Sequence, residues 1–266
     1  METIKKDISV IIPCYNAIPQ YLKEAIDSII NNCKNFTYEI IVINDGSTNN
    51  DILTLLNGFK NEDIIIIDQQ NQGPSAARNN GVKKSTAEYI LCLDSDNKIK
   101  PEYINKAIAA LNENLEAAVV YAKPDFIGNE PRSFIPGPFS IEKLLVENHI
   151  DMCSVIRKQA WENVGGLDES LRQYEDWEFW VRIYKTGWKF IFIDEILFEY
   201  RVRKDSLITQ AGQNGYNNII AYLYKKHWDL LYSIYYKLYA TSVIYNEDKR
   251  HPLRSFLKYS KKKFIG

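Results

Sequence analysis

Two aspartates separated by one residue give the first indication of chemistry in this sequence. Asp94 and Asp96 flank Ser95 directly after the apolar run Tyr89–Leu93. In an extended segment both carboxylates can converge on one hard cation, because Mg²⁺ and Mn²⁺ prefer oxygen ligands. A cation bound there would bridge the diphosphate of a substrate. Asp-Ser-Asp is also common in solvated turns, so the motif alone does not establish a metal site.

Other polar residues follow further apolar runs of the first half. Asp45 could accept hydrogen bonds from a nucleobase or ribose, although Asp-Gly-Ser also favours an Asx-turn. Arg78 lies in the first turns of a predicted helix, where the helix dipole and the guanidinium together suit a phosphate. It could equally be a surface charge. Tyr15 could stack on a base or simply pack.

Two adjacent carboxylates begin an aromatic segment in the second half. Glu175 and Asp176 precede Trp177 and Trp180. If the tryptophans face the core, one carboxylate turns toward a cleft, and apolar surroundings would raise its pKa toward that of a general base. Capping of a helix N-terminus by acidic residues explains the same pattern. The pair therefore indicates catalysis only in combination with the polar residues of the first half.

The elements that must position these residues are strands alternating with helices. Nearly continuous apolar runs predict parallel strands covered on both faces, at Ile8–Pro13, Glu39–Asn44, Ile64–Asp68, Tyr89–Leu93 and Ala117–Tyr121. Helical spacing occurs in Leu22–Cys33, Ser75–Lys84 and Ile104–Leu111. The alternation predicts an α/β fold with a mostly parallel, doubly wound sheet. Ligands of such sheets bind beyond the carboxyl ends of the strands, where the polar residues of four strands would meet.

The pattern changes after residue 122. Residues 123–140 are rich in Pro and Gly and predict a loop over the sheet. The elements expected next are a helix (Ile141–Asn148), a strand (Met152–Arg157), a helix near Tyr174–Thr186, a strand near Lys189–Ile193 and Tyr-rich helix from Asn217 onward. We therefore expect two halves of one domain, 1–122 and 123–210, followed by a helical, basic C-terminal extension, 211–266.

Composition excludes several classes of protein. The 266 residues are 45% hydrophobic and 25% charged, which excludes disorder, collagen and coiled coil. A net charge of -1 argues against a nucleic-acid partner. The cysteines Cys14, Cys33, Cys92 and Cys153 form no C-x-x-C pair, and predict reduced, buried thiols of a cytoplasmic protein. No secretory signal is recognisable, and no apolar run approaches the ~18 residues of a membrane span.

Positive charge is concentrated at the carboxyl end. The residues from 249 to 266 include seven Lys and Arg and no acid. Such a run suits contact with an anionic surface, for example the inner face of the membrane, and a solvated terminus explains it equally well. The helical extension could also mediate self-association into a homo-oligomer, or connect to another domain of a longer protein.

Taken together and in order, the polar motifs resemble the family 2 glycosyltransferases. The resemblance is carried by Val10–Asn16 (VIIPCYN), Val42–Thr48 (VINDGST), Asn71–Asn79 (NQGPSAARN), Leu93–Asp96 (LDSD), Gly165–Glu169 (GGLDE) and Glu175-Asp176. It implies the glycosyltransferase A fold and inverting transfer of a sugar from a nucleoside diphosphate donor to an acceptor hydroxyl. UDP is the expected nucleotide and dTDP the second. The acceptor would be a glycan, a lipid-linked molecule or a protein, in the assembly of cell-surface polysaccharide or glycoconjugates.

The resemblance also implies a role for each matching residue. The donor site would comprise Pro13, Tyr15, Asp45, Asn71, Arg78, Asp94, Ser95 and Arg203. Asp96 would be the main ligand of a divalent cation, Mn²⁺ or Mg²⁺, with Asp94 close to it. Asp176, with Glu175 beside it, would deprotonate the acceptor hydroxyl for in-line attack on the anomeric carbon. The cation would stabilise the diphosphate leaving group in place of an acid.

The sequence departs from the family at one position. Many relatives follow Tyr-Arg with a His two residues on, whereas this chain reads Tyr200-Arg201-Val202-Arg203. A guanidinium cannot bind a cation as a ligand, but it can neutralise a diphosphate. The number of protein ligands to the metal therefore stays open.

Two other functions compete with glycosyl transfer. A nucleotidyltransferase would carry a Gly-rich loop with a basic residue after the first strand, and Pro13–Ala17 contains no glycine. A nucleotide-sugar-binding relative without transferase activity would be expected to lose some of its aspartates. This chain keeps Asp45, Asp94, Asp96 and Asp176.

Overall fold

The computed structural model describes residues 6–32, 36–59, 64–128, 136–237 and 239. Residues up to Ile219 belong to one unit and those from Ile220 to a second. Cys33 and the basic run 249–266 lie outside the described residues. The three described cysteines, Cys14, Cys92 and Cys153, are free and buried, as predicted.

Within the described residues, eight strands form one sheet. They are β1 (Ile8–Cys14), β2 (Tyr38–Asp45), β3 (Ile64–Gln69), β4 (Tyr89–Cys92), β5 (Lys98–Ile99), β6 (Ala117–Gly128), β7 (Val155–Arg157) and β8 (Lys189–Val202). Their order across the sheet is β3-β2-β1-β4-β7-β6-β8-β5. β1 pairs in parallel with β2 and β4, β2 with β3, and β6 with β8. β7 runs antiparallel to both of its neighbours, and β5 runs antiparallel to β8. The sheet is mostly parallel, as predicted.

Helices connect the strands and cover the sheet. They are α1 (Pro19–Asn32), α2 (Asn50–Phe59), α3 (Pro74–Lys84), α4 (Tyr103–Glu113), α5 (Ile141–Leu144), α6 (Lys158–Asn163), α7 (Glu175–Lys185) and α8 (Leu207–Lys226). α8 is kinked at Gly212, and residues 228–237 are also helical. Among the described residues, no helix combines the length and the apolar character needed to cross a membrane.

The core lies on both faces of the central strand. Ile8, Val10 and Ile12 of β1 share one hydrophobic cluster with residues of α1 and α4. Ile11, which points the other way because side chains alternate along a strand, lies beneath α3. All four residues are 0% exposed. A parallel strand covered on both faces is apolar at nearly every position, which explains the composition of β1. Its one polar hydroxyl, on the buried Ser9, donates to Glu39 Oε1 at 2.5 Å.

The predicted loop 123–140 is wrong in its first part. β6 continues to Gly128 and pairs with β8 as far as Val202, so β8 is also longer than predicted. Pro124 lies at a register shift, where a residue without an N–H is tolerated. Gly128 has φ 105°, and a Cβ there would lie 2.5 Å from the carbonyl oxygen of Val202. Residues 129–135 lie outside the described residues.

Candidate active site

The carboxyl ends of β1, β2 and β4 open onto a cleft of about 830 Å³. The start of α7 and the residues after β8 also line this cleft. Every site residue expected from the sequence lies there: Pro13, Tyr15, Asp45, Asn71, Arg78, Asp94, Ser95, Asp96, Glu175, Asp176 and Arg203. The structure therefore brings together the polar ends of the strands and the carboxylates of the second half, and the role of each residue stays a prediction.

Asp45 organises the loop that leads into α3. Its Oδ1 accepts hydrogen bonds from Gln69 Nε2 and from the Gln72 amide, both at 2.8 Å, and its Oδ2 accepts one from the Gly73 amide at 2.9 Å. The residue is 3% exposed. At Gly46, where φ is 75°, a Cβ would lie 2.8 Å from the Asn71 amide nitrogen. Asp45 and Gly46 thus hold the Asn71 loop against the end of β2.

The loops after β1 and β2 are tied together beside this point. Asn16, in the left-handed region at φ 46°, accepts hydrogen bonds from the amides of Thr48 (2.8 Å) and Asn49 (3.0 Å) through its side-chain oxygen. Its own amide donates to Ser47 Oγ at 2.9 Å. The preceding residue, Tyr15, is 54% exposed on this fixed loop. An exposed ring on a rigid support suits stacking on a nucleobase.

Arg78 is not a surface charge. It is 5% exposed, and its guanidinium lies between two carboxylates: Nη2 donates to Asp94 Oδ1 at 2.6 Å and Nη1 to Glu175 Oε1 at 2.5 Å. Burial alone would lower the pKa of Arg78, but the two carboxylates raise it beyond its ordinary value. Within the described residues its Nε has no partner. Arg78 therefore joins α3, the end of β4 and the start of α7.

Asp96 also contacts an arginine. Arg203 Nη1 donates to Asp96 Oδ2 at 3.3 Å, while its Nε and Nη2 donate to the two oxygens of Asp205 at 2.9 and 2.5 Å. Burial and the nearby Asp94 raise the pKa of Asp96 to about 6, although Arg203 opposes the shift.

The two aspartates fit one particular mode of cation binding. The described residues contain no group of three or more His, Cys, Asp or Glu side chains that could bind a metal ion on their own. Mg²⁺ is usually bound through one or two carboxylates together with substrate phosphates and waters. Asp94 and Asp96 therefore fit a cation that shares its coordination with a diphosphate.

The start of α7 presents Asp176 to the cleft. Trp177 and Trp180 are 0% exposed, and their indole nitrogens donate to the carbonyls of Leu144 (2.5 Å) and Ile150 (3.1 Å). The aromatic face of the helix is thereby fixed in the core. The Tyr174 backbone preceding the helix is left-handed, at φ 57°. These contacts set the direction of the first turn, where Asp176 lines the cleft and Glu175 turns to Arg78.

The Asp176 carboxyl lies in surroundings that favour its protonated form. Removal from solvent, followed by the neighbouring charges of Glu175 and Asp151, raises its pKa from 3.8 to about 8. Two neutral donors oppose this shift: the Trp177 amide contacts Oδ1 at 2.8 Å and Asn148 Nδ2 contacts Oδ2 at 2.9 Å. A carboxyl with such a pKa can exchange a proton near neutral pH, as a general base must.

Sequence reasoning missed Asn148, Asp151 and Asp205. Asn148 was predicted to end the helix from Ile141, but α5 ends at Leu144, and Asn148 and Asp151 lie in the segment without regular structure that follows it. Asp205 could have been found, because an acid two residues after Arg203 is well placed to bind its guanidinium.

The fold and the position of the cleft are those of a glycosyltransferase of the A type. This chain belongs to glycosyl transferase family 2, whose family model matches residues 9–164, more than half of its length. It is therefore a glycosyltransferase, and the alternative function of a nucleotidyltransferase is excluded.

Named relatives agree with this assignment. An uncharacterized glycosyltransferase of Methanocaldococcus jannaschii, MJ1057, is 28% identical over 85% of this chain and 81% of its own. The minor teichoic acid biosynthesis protein GgaB of Bacillus subtilis is 30% identical over 95% of this chain, which spans 28% of GgaB. The crystal structure of S. aureus TarS 1-349 in complex with UDP-GlcNAc is 22% identical, with a TM-score of 0.63 over 77% of this chain and 61% of that one. The structural likeness confirms the glycosyltransferase A fold.

Proposed function

We propose that this chain transfers a sugar from a UDP-linked donor to an acceptor hydroxyl, with inversion at the anomeric carbon and Asp176 as the base. The observation that carries the proposal is the contrast among the carboxylates of one cleft. Asp94 and Asp96 each contact an arginine, whereas Asp176 has neutral donors and a pKa raised to about 8. A single displacement needs one base, unlike the paired carboxylates of a glycosidase.

In this mechanism Asp176 accepts the proton of the acceptor hydroxyl as its oxygen attacks the anomeric carbon. The bond from that carbon to the diphosphate oxygen breaks, and its electron pair leaves with the diphosphate. Asn148 and the Trp177 amide hold the carboxylate of Asp176 in place. Asp96 and Asp94 would hold a Mn²⁺ or Mg²⁺ ion, which supplies charge stabilisation for the leaving group. Arg203 adds a positive charge beside them.

The residues on the donor side of the cleft are suited to binding a nucleotide. Tyr15 offers an exposed ring to the base, and the loop held by Asp45 places Asn71 in the same cleft. We propose UDP because the structurally similar TarS was solved with UDP-GlcNAc. A hexosyl or N-acetylhexosaminyl group is the corresponding sugar. In this proposal residues 1–122 bind most of the donor, and residues 123–210 supply the base, the acceptor site and Arg203 beside the diphosphate.

The acceptor is proposed from the relatives rather than from the cleft. GgaB, which aligns with nearly all of this chain, is named a minor teichoic acid biosynthesis protein. From this similarity we propose that the acceptor is a glycan, a lipid-linked molecule or a protein, and that the reaction belongs to the assembly of cell-surface polysaccharide or glycoconjugates.

We further propose that the C-terminal extension docks at an anionic membrane surface. The rings of Trp228, Tyr232 and Tyr236 follow one another along the helix at centroid distances of 6.2 and 6.4 Å, and the three side chains are 57–66% exposed. Trp and Tyr favour the interface of a bilayer, and the basic run that follows in the sequence suits anionic lipid. Cosedimentation with anionic vesicles at low salt should be lost in Trp228→Ser/Tyr232→Ser and kept in Leu115→Ser, an exposed control in the first unit. Failure of the wild type to sediment would remove this proposal.

The donor proposal is tested by calorimetric titration of UDP, dTDP, GDP and CMP, with and without Mn²⁺. We expect UDP to bind most tightly, Mn²⁺ to strengthen binding, and Asp96→Ala to abolish the Mn²⁺ effect. Asp27→Ala, which removes an exposed carboxylate on α1, is the matched control and should behave as the wild type. If no nucleotide binds with or without Mn²⁺, the proposed mechanism fails.

A further inference from the structure

We infer that Arg203 makes cation binding at Asp96 depend on the donor diphosphate. This inference rests on the proposed donor site. In place of a metal ligand, this position of the chain carries a fixed positive charge. The consequence is an energetic coupling between two ligands, the cation and the nucleotide, through one side chain.

The geometry of Arg203 gives it one defined position. Asp205 accepts two hydrogen bonds from the guanidinium fork, at Nε (2.9 Å) and Nη2 (2.5 Å). The remaining amino group, Nη1, is 3.3 Å from Asp96 Oδ2. The side chains of Arg203 and Asp96 are only 26% and 23% exposed, so solvent screens this pair incompletely. Bidentate contact with a carboxylate fixes the plane of a guanidinium, and here it directs Nη1 at Asp96.

This arrangement opposes a cation that arrives alone. A guanidinium has no lone pair and cannot become a metal ligand. A divalent cation on Asp96 Oδ2 would lie within a few ångströms of Arg203, where two positive charges in a partly buried site repel strongly. Asp94 does not remove this opposition, because its Oδ1 accepts a hydrogen bond from Arg78 Nη2 at 2.6 Å and a second positive charge therefore lies beside it. Each carboxylate of the Asp-Ser-Asp motif thus contacts an arginine.

A diphosphate removes the opposition. Its oxygens can accept hydrogen bonds from Arg203, which then no longer needs Asp96 as a partner. The same diphosphate offers oxygen ligands to the cation, completing the coordination that two aspartates leave open. Each ligand therefore favours the other, and thermodynamic linkage requires that the cation strengthen UDP binding by the same factor by which UDP strengthens cation binding.

The test measures Mn²⁺ binding directly, by electron paramagnetic resonance of free Mn²⁺, with and without saturating UDP. In the wild type we expect UDP to tighten Mn²⁺ binding more than about tenfold, within the usual range of coupling between two sites. In Arg203→Ala and Arg203→Gln, Mn²⁺ alone should bind more tightly than in the wild type. The tightening by UDP should then fall at least about threefold.

Two further variants separate charge from other effects. Arg203→Lys keeps the positive charge and should retain most of the coupling. Lys204→Ala removes an exposed positive charge one residue away and should leave both affinities unchanged. Thermal unfolding of each variant establishes that it is folded before its binding is compared. If Arg203→Ala is not folded, the comparison uses Arg203→Gln.

The possible results distinguish this inference from the proposed function. Equal coupling in the wild type and in both neutral variants, or weaker binding of Mn²⁺ alone when Arg203 is neutralised, overturns the role of Arg203 and leaves the donor site intact. Absence of Mn²⁺ binding to the wild type even with UDP removes the proposed cation itself, and the inference with it.

Discussion

The two sides of the cleft treat their carboxylates differently. On the strand side, Asp94 and Asp96 contact guanidinium groups, and Asp45 accepts three N–H donors. At the start of α7, Asp176 contacts only neutral donors in the described part of the chain and lies beside two further acids. Arginine contacts oppose protonation of a carboxylate, whereas burial beside other acids favours it, so the pKa is raised further at Asp176, to about 8, than at Asp96, to about 6. The partners of each aspartate therefore divide binding from proton transfer within one site.

Among the variants that test this comparison, Asp176→Asn is expected to have the largest effect. The amide cannot accept a proton, so we expect kcat to fall by ~10²–10⁴-fold, the usual contribution of a general base. The affinity for UDP, measured by calorimetry, should stay unchanged because the donor residues are intact. Transfer at the wild-type rate would show that another group is the base and would break the comparison.

The same variant has an opposite effect on stability. The folded-state pKa of Asp176, about 8, is higher than its ordinary value of 3.8. The folded protein therefore holds this proton more tightly, and stability from this group is lost as the pH rises through 8. Asp176→Asn should raise the Tm at pH 8 to 9, and the gain should vanish near pH 4. A lower Tm of the variant at pH 9 would contradict the raised pKa.

Asp45→Ala tests the binding side. It leaves the donors of Gln69, Gln72 and Gly73 without their acceptor, so the Asn71 loop loses its anchor. We expect UDP affinity to fall roughly tenfold or more and the free energy of unfolding to fall by about 1–3 kcal/mol, as for a lost buried hydrogen-bond partner. The kcat at saturating donor should change far less than in Asp176→Asn. Asp51→Ala, an exposed acid on α2, is the control.

The smallest expected effect belongs to Asn148→Leu. Asn148 Oδ1 accepts the Ile150 amide at 3.2 Å, which orients its amino group toward Asp176. Leucine removes this donor, so the pKa of Asp176 should rise further, by roughly one unit for a bond worth about 0.5–1.5 kcal/mol. The midpoint of the rising limb of kcat/KM against pH should move up accordingly, with the rate at high pH little changed. If the midpoint of the pH profile does not move, Asn148 has a structural role only and does not influence the pKa of Asp176.

The first half was predictable because its signals are local. β1 to β4 are predominantly apolar runs, and the polar and turn residues at their ends mark the polar edge. β6 and β8 were underestimated for the opposite reason. Pro124 and Gly128 indicate a loop when read locally, and only the pairing with β8, some 70 residues away, keeps them in a strand. α6 was not predicted because it has only two apolar residues, Ala160 and Trp161, too few to show helical spacing. α2 was missed although Ile52, Leu55, Leu56 and Phe59 do have that spacing.

The site was predictable as a set of residues and not as a set of contacts. The motifs identified the residues that line the cleft, including both acids at the start of α7. They could not indicate that Arg78 and Glu175, 97 positions apart, would form a buried ion pair. Long-range pairing depends on how α3 and α7 approach each other in the folded chain, which no local pattern encodes.

That ion pair limits how such enzymes can be recombined. A chimera that keeps α3 from this chain and takes α7 from another glycosyltransferase would remove one of the two carboxylates that contact the buried Arg78, leaving Asp94, unless the graft brings an acid to position 175. Removing one partner of a buried charge costs about 3–5 kcal/mol where the charge is left uncompensated, and the remaining contact with Asp94 makes the cost smaller here. A graft of α7 that is meant to change the acceptor preference should therefore keep an acid at position 175, directly before the proposed base. Otherwise Arg78 should be replaced by a neutral residue in the same variant.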